Sequence, residues 1–131
     1  WYTSDVTVTW TLSDPESGVA SSTGCAPTTL TAGTAGITLT CSATNGAGLS
    51  ASVPVTVKID KTPPVVVPSI VGTAGAGGWY TSDVTVSWSV SDPESGVASS
   101  TGCSSSTLTG GAALTCSATN GAGLSASVPV T

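Results

Sequence analysis

The chain has 131 residues and a formal net charge of −5, with only two cationic side chains and no histidine. Nucleic-acid binding is excluded because it requires Lys and Arg to neutralise phosphates, and no apolar run is long enough for a membrane span. Val and Thr are abundant, and because their branched Cβ atoms favour strands, the composition predicts an all-β protein.

In chain order, three segments of the first half alternate apolar and polar side chains, as strands with one buried face do. Their apolar positions are Val6, Val8, Trp10 and Leu12, then Ile37, Leu39, Cys41 and Ala43, then Val53, Val55, Val57 and Ile59. Asn45-Gly46 predicts a hairpin between the second and third segments. Pro54 has no N–H, so the third segment is expected at a sheet edge or bulge.

The sequence contains an internal repeat, because three segments of the first half return in the second half. The repeated segments are 1–8 with 79–86, 14–25 with 92–103, and 40–49 with 115–124. We therefore predict two modules, residues 1–60 and 61–131, taken from a longer array. The first is expected to lack its opening strand and the second the end of its last strand.

The second copy adds an opening strand over Pro64–Val71 and short strands around Val97–Gly102 and Thr107–Thr109. Each complete module would then have six or seven short strands. Short strands separated by turn residues at regular intervals are typical of a β-sandwich. The fold prediction is therefore all-β, with one sandwich in each of two tandem modules.

The four cysteines occupy matching positions of the repeat, namely Cys25 and Cys41 in the first copy and Cys103 and Cys116 in the second. A zinc site would need all four cysteines from two modules, because the chain has no histidine. We predict one disulfide in each module, contributing roughly 3 kcal/mol of stability by loop closure. Disulfides favour an oxidising, extracellular location, either secreted or at the cell surface.

Cys25-Ala26-Pro27 followed by residues 37–48 resembles the hyalin-repeat (HYR) domain, with its Cys-x-Pro segment and Thr-Cys-Thr-Ala-Thr-Asp-like strand and turn. The Asp-Pro-Glu-Ser-Gly-Val turns and the linker 60–64 also look like bacterial immunoglobulin-like repeats of surface proteins. The chain departs from the HYR pattern at Asn45 and Asn120, where the family often has Asp, and at Ser104-Ser105, where the proline would fall. The resemblance implies immunoglobulin-like modules with adhesive, spacing or assembly roles and no catalytic residues.

No enzymatic site is predicted, because a chain without histidine offers no general base for a nucleophilic serine. Calcium is the candidate cofactor, since the turn after the first strand and the Asn-Gly hairpin are expected at the pole where the linker enters. The candidate oxygen ligands there are Asp60, Asp92, Glu94 and Asn120. The alternative is that Asp-Pro-Glu-Ser-Gly is a type I turn that needs no metal.

Two aromatic pairs, Trp1-Tyr2 and Trp79-Tyr80, precede the first strand of each copy. Exposed aromatic rings can stack on sugars, but such rings also pack against the end of a sandwich or a neighbouring module. Trp10 and Trp88 lie at alternating apolar positions and are expected in the core.

These observations predict an extracellular structural or adhesive repeat that acts as a stalk or filament segment. Neighbouring copies of the module, within one chain or between subunits, are the expected partners, and exposed strand edges make strand exchange between them conceivable. The alternative function is a carbohydrate-binding accessory module of a secreted enzyme, with surface glycans as partners.

Overall fold

The computed structural model describes residues 1–131, which form eleven β-strands, one 3₁₀ turn at Ala76–Gly78 and no α-helix. The prediction of an all-β protein is confirmed. None of its helical segments is long and apolar enough to cross a membrane. The strands are β1 Val6–Val8, β2 Val19–Thr23, β3 Thr28–Leu30, β4 Thr34–Asn45, β5 Ser50–Ile59, β6 Val65–Val71, β7 Val84–Ser91, β8 Val97–Thr101, β9 Ser106–Leu108, β10 Leu114–Asn120 and β11 Ser125–Val130.

The chain divides into two compact units, unit 1 (Trp1–Lys61) and unit 2 (Thr62–Thr131). The boundary differs by one residue from the predicted one, which placed Lys61 in the second module. The Lys61 ammonium group forms an ion pair with the Asp5 carboxylate and donates to the Thr31 carbonyl oxygen, both within unit 1.

Unit 1 has two antiparallel sheets, β1-β3 and β2-β4-β5. The predicted hairpin is present between β4 and β5, where the Asn45 N–H donates to the Leu49 carbonyl at 2.9 Å. Strand β5 is the outer strand of its sheet, so the missing N–H of Pro54, which lies opposite Thr40, removes no bond to a further strand.

Unit 2 has two three-stranded antiparallel sheets, in the orders β6-β7-β9 and β11-β10-β8. Their apolar faces meet around Val66 on β6, which packs with Cys116 and Ala118 on β10. Partly buried side chains surround this cluster, and they are Trp88, Val90, Cys103, Ala126 and Val128. The core of unit 2 therefore depends on β6 covering β10 and β11.

The two copies differ in the strand that follows the aromatic pair. In unit 2, β7 runs from Val84 to Ser91 and pairs with β6 along its length. In unit 1, the equivalent β1 ends at Val8 and pairs only with β3, so the prediction of a strand over Asp5–Ser13 is wrong beyond Val8. The extended conformation of residues 84–91 is maintained by backbone hydrogen bonds to β6, and no strand provides such bonds to residues 9–13.

The outward faces of the sheets carry hydroxyl side chains that bond to each other across strands. The pairs are Thr7–Thr29, Thr38–Thr56, Ser42–Ser52 and Thr44–Ser50 in unit 1, and Thr85–Thr107, Ser117–Ser127 and Thr119–Ser125 in unit 2, at 2.7–3.1 Å. Such directly opposed hydroxyl pairs stabilise a sheet. They give some of the Ser and Thr residues on this surface a structural role.

One disulfide lies in each unit, Cys25–Cys41 in unit 1 and Cys103–Cys116 in unit 2. Each joins the second residue after β2 or β8 to a residue within the adjacent strand, with Cα atoms 4.6 Å apart. Cys41 and Cys116 are buried, so the bond ties an exposed strand end to the interior of its unit.

Candidate functional site

In each unit, an Asp and an Asn that occur at the same place in both copies are joined by a hydrogen bond. We call this pair the Asp–Asn clasp (Asp14 with Asn45, and Asp92 with Asn120). In unit 1, the Asn45 side-chain amide donates to Oδ2 of Asp14 at 3.0 Å. Oδ1 of Asp14 accepts from three backbone N–H groups of its own turn, those of Glu16, Ser17 and Gly18, at 2.7–3.2 Å. The clasp therefore joins the turn after the first strand to the Asn-Gly hairpin.

The clasp of unit 2 repeats this arrangement. Asn120 Nδ2 donates to Oδ2 of Asp92 at 3.0 Å, and Asp92 Oδ1 accepts from the N–H groups of Ser95 and Gly96 at 2.9 and 3.0 Å. Asn120 is buried, and its amide also donates to the Thr62 carbonyl at 2.8 Å. In unit 2 the clasp thus also binds the segment that leads into β6.

The side chain of the asparagine in each clasp also stabilises the hairpin to which the asparagine belongs. Asn120 Oδ1 accepts from the backbone N–H groups of Ala122 and Leu124 at 3.1 and 2.8 Å. Asn45 Oδ1 accepts from Ala47 and Leu49 at the same two distances. An Asp at this position has no amide N–H to donate to the other carboxylate, which gives a physical reason for Asn here.

The clasp lowers the pKa of both aspartates. For Asp14, the hydrogen bond from Asn45 has the largest effect, and together with the bonds from the turn it lowers the pKa from 3.8 to about 2. For Asp92, desolvation acts in the raising direction, but the bonds from Asn120, Ser95 and Gly96 outweigh it and the pKa is lowered. Both carboxylates are therefore ionised acceptors, and neither is poised as a general acid near neutral pH.

The four predicted calcium ligands fall in different units. Asp60 belongs to unit 1, where its N–H donates to the Tyr2 carbonyl at 2.9 Å, whereas Asp92, Glu94 and Asn120 belong to unit 2. Within unit 2, both oxygens of Asp92 already accept protein hydrogen bonds, and Oε2 of Glu94 is buried without a hydrogen-bond partner. The turn interpretation thus accounts for Asp92 and Asn120, and calcium stays a hypothesis.

The aromatic pair of unit 1 is held by the end of β5. Tyr2 forms a parallel bridge with Ile59, and its N–H donates to the Lys58 carbonyl at 2.9 Å. The Lys58 ammonium group lies 5.6 Å from the centre of the Trp1 ring, within cation–π range. The first pair is therefore attached to its own unit, although Trp1 and Tyr2 are still 44% and 53% exposed.

The aromatic pair of unit 2 lines a cleft of about 460 Å³, which we call the aromatic cleft. Trp79 is 75% exposed, and Tyr80, which is 43% exposed, forms an antiparallel bridge with Ala74. The floor is apolar and is formed by strand side chains, including Val84, Val86 and Leu108. The same aromatic residues thus have different surroundings in the two copies.

A second cleft, of about 590 Å³, lies on unit 1 and is called here the unit 1 groove. Its apolar lining includes Trp10, Leu12, Cys41, Ala43, Ala51 and Val53. Leu12 is 39% and Val53 54% exposed, although alternation predicts both as inward-facing core residues. That prediction is wrong for these two side chains, because no strand covers this face of unit 1.

Neither the unit 1 groove nor the hydrogen bonds between the clasp residues were predicted from the sequence. A signal for the clasp was present, since Asp14, Asn45 and their counterparts recur in both copies next to glycines.

No protein-family model matches the chain, and no curated protein or solved structure matches it either. The likeness to HYR and immunoglobulin-like repeats therefore remains a resemblance of motifs.

Proposed function

We propose that the chain is an extracellular structural or adhesive repeat, built of tandem immunoglobulin-like β-sandwich modules that act as a stalk or filament segment. The proposal rests on the bonding partners of the polar residues that occur in both copies. In both units Asp, Asn and the turn glycines bond to one another, and the cysteines form disulfides. Polar residues that recur in both units and hold the fold together support a spacer role.

Two further features support a load-bearing role outside the cell. Disulfides persist in oxidising surroundings, where cytosolic reductants do not act. Each bond encloses part of its unit, spanning 16 residues in unit 1 and 13 in unit 2, and so limits how far the chain extends if the unit opens. Repeated modules of this kind add length in proportion to their number.

The role is tested by immunogold electron microscopy of the native source material, with antibodies raised against the folded chain. Label along surface projections or fibres is the expected result. Label restricted to freely secreted protein, with none on surface structures, would contradict the proposal.

A carbohydrate-binding module is the second candidate, and the aromatic cleft of unit 2 favours it. Its exposed Trp79 beside Tyr80 offers apolar ring faces of the kind that sugars stack on. A glycan array probed with the wild type, Trp79→Ala and Trp1→Ala separates the two functions. Binding lost only in Trp79→Ala would establish the glycan function, because Trp1 is the matched aromatic of unit 1.

A further inference from the structure

We infer that Asn45 and Asn120 are sites of a spontaneous covalent modification, deamidation, which the folded unit blocks and which occurs once the unit opens. Each asparagine is followed by a glycine, and the segments around them, 40–56 and 115–131, have the same sequence. The product is an aspartate or isoaspartate that cannot form the clasp. The inference goes beyond the proposed function and does not depend on it.

Deamidation of an Asn-Gly pair is a reaction between neighbouring groups of one chain. The backbone nitrogen of the glycine attacks Cγ of the asparagine, and a new N–Cγ bond forms. The Cγ–Nδ2 bond then breaks, and ammonia leaves with the proton of the glycine N–H. Water adds to either carbonyl of the resulting succinimide ring and breaks the bond from that carbonyl to the ring nitrogen, which gives aspartate or isoaspartate. A glycine favours the first step because no Cβ hinders the approach of its nitrogen.

The fold requires both residues of this reactive pair. The asparagine is required because its amide donates to the clasp carboxylate at 3.0 Å in each unit. The glycine is required because the turn of the clasp passes close to it. A Cβ at Gly46 would lie 2.5 Å from the Ser17 carbonyl oxygen, and one at Gly121 would lie 2.6 Å from that of Ser95. Neither residue can therefore be exchanged for a less reactive one without loss of a contact.

Hydrogen bonds of the folded unit oppose the first step of the reaction. The attacking nitrogen is engaged, because the Gly46 N–H donates to the Gly18 carbonyl and the Gly121 N–H to the Gly96 carbonyl, both at 3.0 Å. The asparagine Oδ1 accepts two backbone N–H groups of its hairpin, and its Nδ2 is bonded to the clasp carboxylate. These bonds must break before Cγ can turn towards the glycine nitrogen. The reaction therefore requires the turn and the hairpin to open.

Deamidation prevents the unit from closing as it did before. The product aspartate has no side-chain N–H, and its carboxylate would lie against that of the clasp aspartate, where two like charges repel. The isoaspartate product also adds one methylene group to the backbone where β4 or β10 ends. A unit that has stayed open long enough to react is thus permanently weakened, whereas a unit that recloses sooner is unchanged.

The experiment follows deamidation of the full chain, with its disulfides intact, in mildly alkaline buffer with and without enough urea to unfold both units. Peptide mapping by mass spectrometry measures the modified fraction at each asparagine over time. Because the two asparagines have the same neighbours in sequence, we expect equal rates in urea. Without urea, each rate should be at least about a hundredfold lower, since the reaction then passes through rare opening. Equal rates with and without urea would overturn the inference.

Removing one clasp carboxylate should accelerate the reaction in its own unit only. In Asp14→Ala, Asn45 should deamidate at least about tenfold faster, while Asn120 in the same molecule keeps its slow rate. If unit 1 of this variant does not fold, Asn45 should reach the rate measured in urea. Leu49→Ala, whose side chain is 71% exposed, is the matched control and should leave both rates unchanged. An unchanged rate at Asn45 in Asp14→Ala, or equal acceleration at both asparagines, would contradict the inference.

Variants of unit 1 test the effect of the product. Asn45→Asp reproduces the aspartate product and should shift the unfolding equilibrium of unit 1 at least about tenfold towards the open state in urea titrations. The double variant Asp14→Asn with Asn45→Asp exchanges donor and acceptor, so it again pairs one amide with one carboxylate and should recover most of this stability. A single variant as stable as the wild type, or a double variant no more stable than the single one, would overturn the role assigned to the amide.

Discussion

The side-chain amide of Asn120 donates a hydrogen bond to Oδ2 of Asp92 at 3.0 Å, and the same bond joins Asn45 to Asp14 in the other unit. In each unit the bond connects a turn to a hairpin that lies about thirty residues away in the chain. The clasp is therefore a long-range tie of the kind that a small β unit uses to limit its opening.

Breaking the clasp should destabilise unit 2 more than unit 1. Asn120→Ala removes an amide that is buried and also bonds Thr62, so we expect a loss of about 2 to 3 kcal/mol in the free energy of unfolding. Asn45→Ala, at the half-exposed equivalent, should cost less. Urea titrations of the two variants measure the difference, and equal losses would contradict the role assigned to Thr62.

The clasp also predicts an acid dependence of stability. The Asp14 pKa is lowered to about 2, below its value in the unfolded chain, so the ionised carboxylate stabilises the fold above about pH 4. This contribution is lost as pH falls from about 4 towards 2, and the lowered pKa of Asp92 acts in the same direction. Unfolding midpoints between pH 7 and pH 2 should fall less in Asn45→Ala than in the wild type.

The control for the acid experiment is Leu49→Ala, in the same hairpin. Its side chain is 71% exposed and the backbone N–H that bonds Asn45 is unchanged. Its pH dependence should match the wild type. An unaltered acid dependence in Asn45→Ala would show that Asn45 does not set the Asp14 pKa.

Alanine substitutions at two glycines of unit 2 distinguish the stability cost of backbone strain from that of a steric clash. Gly102 (φ 70°) and Gly123 (φ 85°) both have left-handed conformations. A Cβ on Gly102 would lie 2.1 Å from the Thr115 carbonyl oxygen, whereas a Cβ on Gly123 would have no atom within 4 Å. Gly123→Ala should cost about 1 to 2 kcal/mol through strain alone. Gly102→Ala should cost clearly more or prevent folding of unit 2, as circular dichroism and urea titration would show; equal costs would refute the close approach.

Removing one disulfide should weaken its own unit. Replacing Cys103 and Cys116 together by Ala should lower the free energy of unfolding of unit 2 by about 3 kcal/mol, because the unfolded chain regains loop entropy. The matched control is the double replacement of Cys25 and Cys41, which should affect unit 1 in the same way. Unfolding monitored by tryptophan fluorescence would reveal both, and stability unchanged by reduction would contradict the prediction.

Trp88 should tolerate a smaller aromatic ring. Its indole Nε1 is buried without a hydrogen-bond partner, although the side chain packs in the core of unit 2. Trp88→Phe removes this unsatisfied donor, which offsets part of the lost packing, so we expect a change within about 1.5 kcal/mol. Trp88→Ala should cost about 3 to 5 kcal/mol. Similar losses in both variants, measured by urea titration, would argue against an unsatisfied donor.

By itself, the sequence determined the all-β class, the repeat and the β4–β5 hairpin. These features are local or come from comparing one copy with the other. Alternation places Val57 and Ile59 inward, and both are buried, because a period of two decides which face of a strand a residue occupies.

Only the tertiary structure decided whether an inward-facing residue is covered. Leu12 and Val90 occupy the same place in the repeat, yet Leu12 is exposed while Val90 packs near Val66. Their local patterns are alike, and the difference arises because β6 covers one face and no strand covers the other. The clasp was likewise decided by tertiary structure, since the Asp92–Asn120 bond requires a turn and a distant hairpin to meet in space. Burial and long-range bonds depend on which strand lies opposite, and periodicity within one segment carries no information about that neighbour.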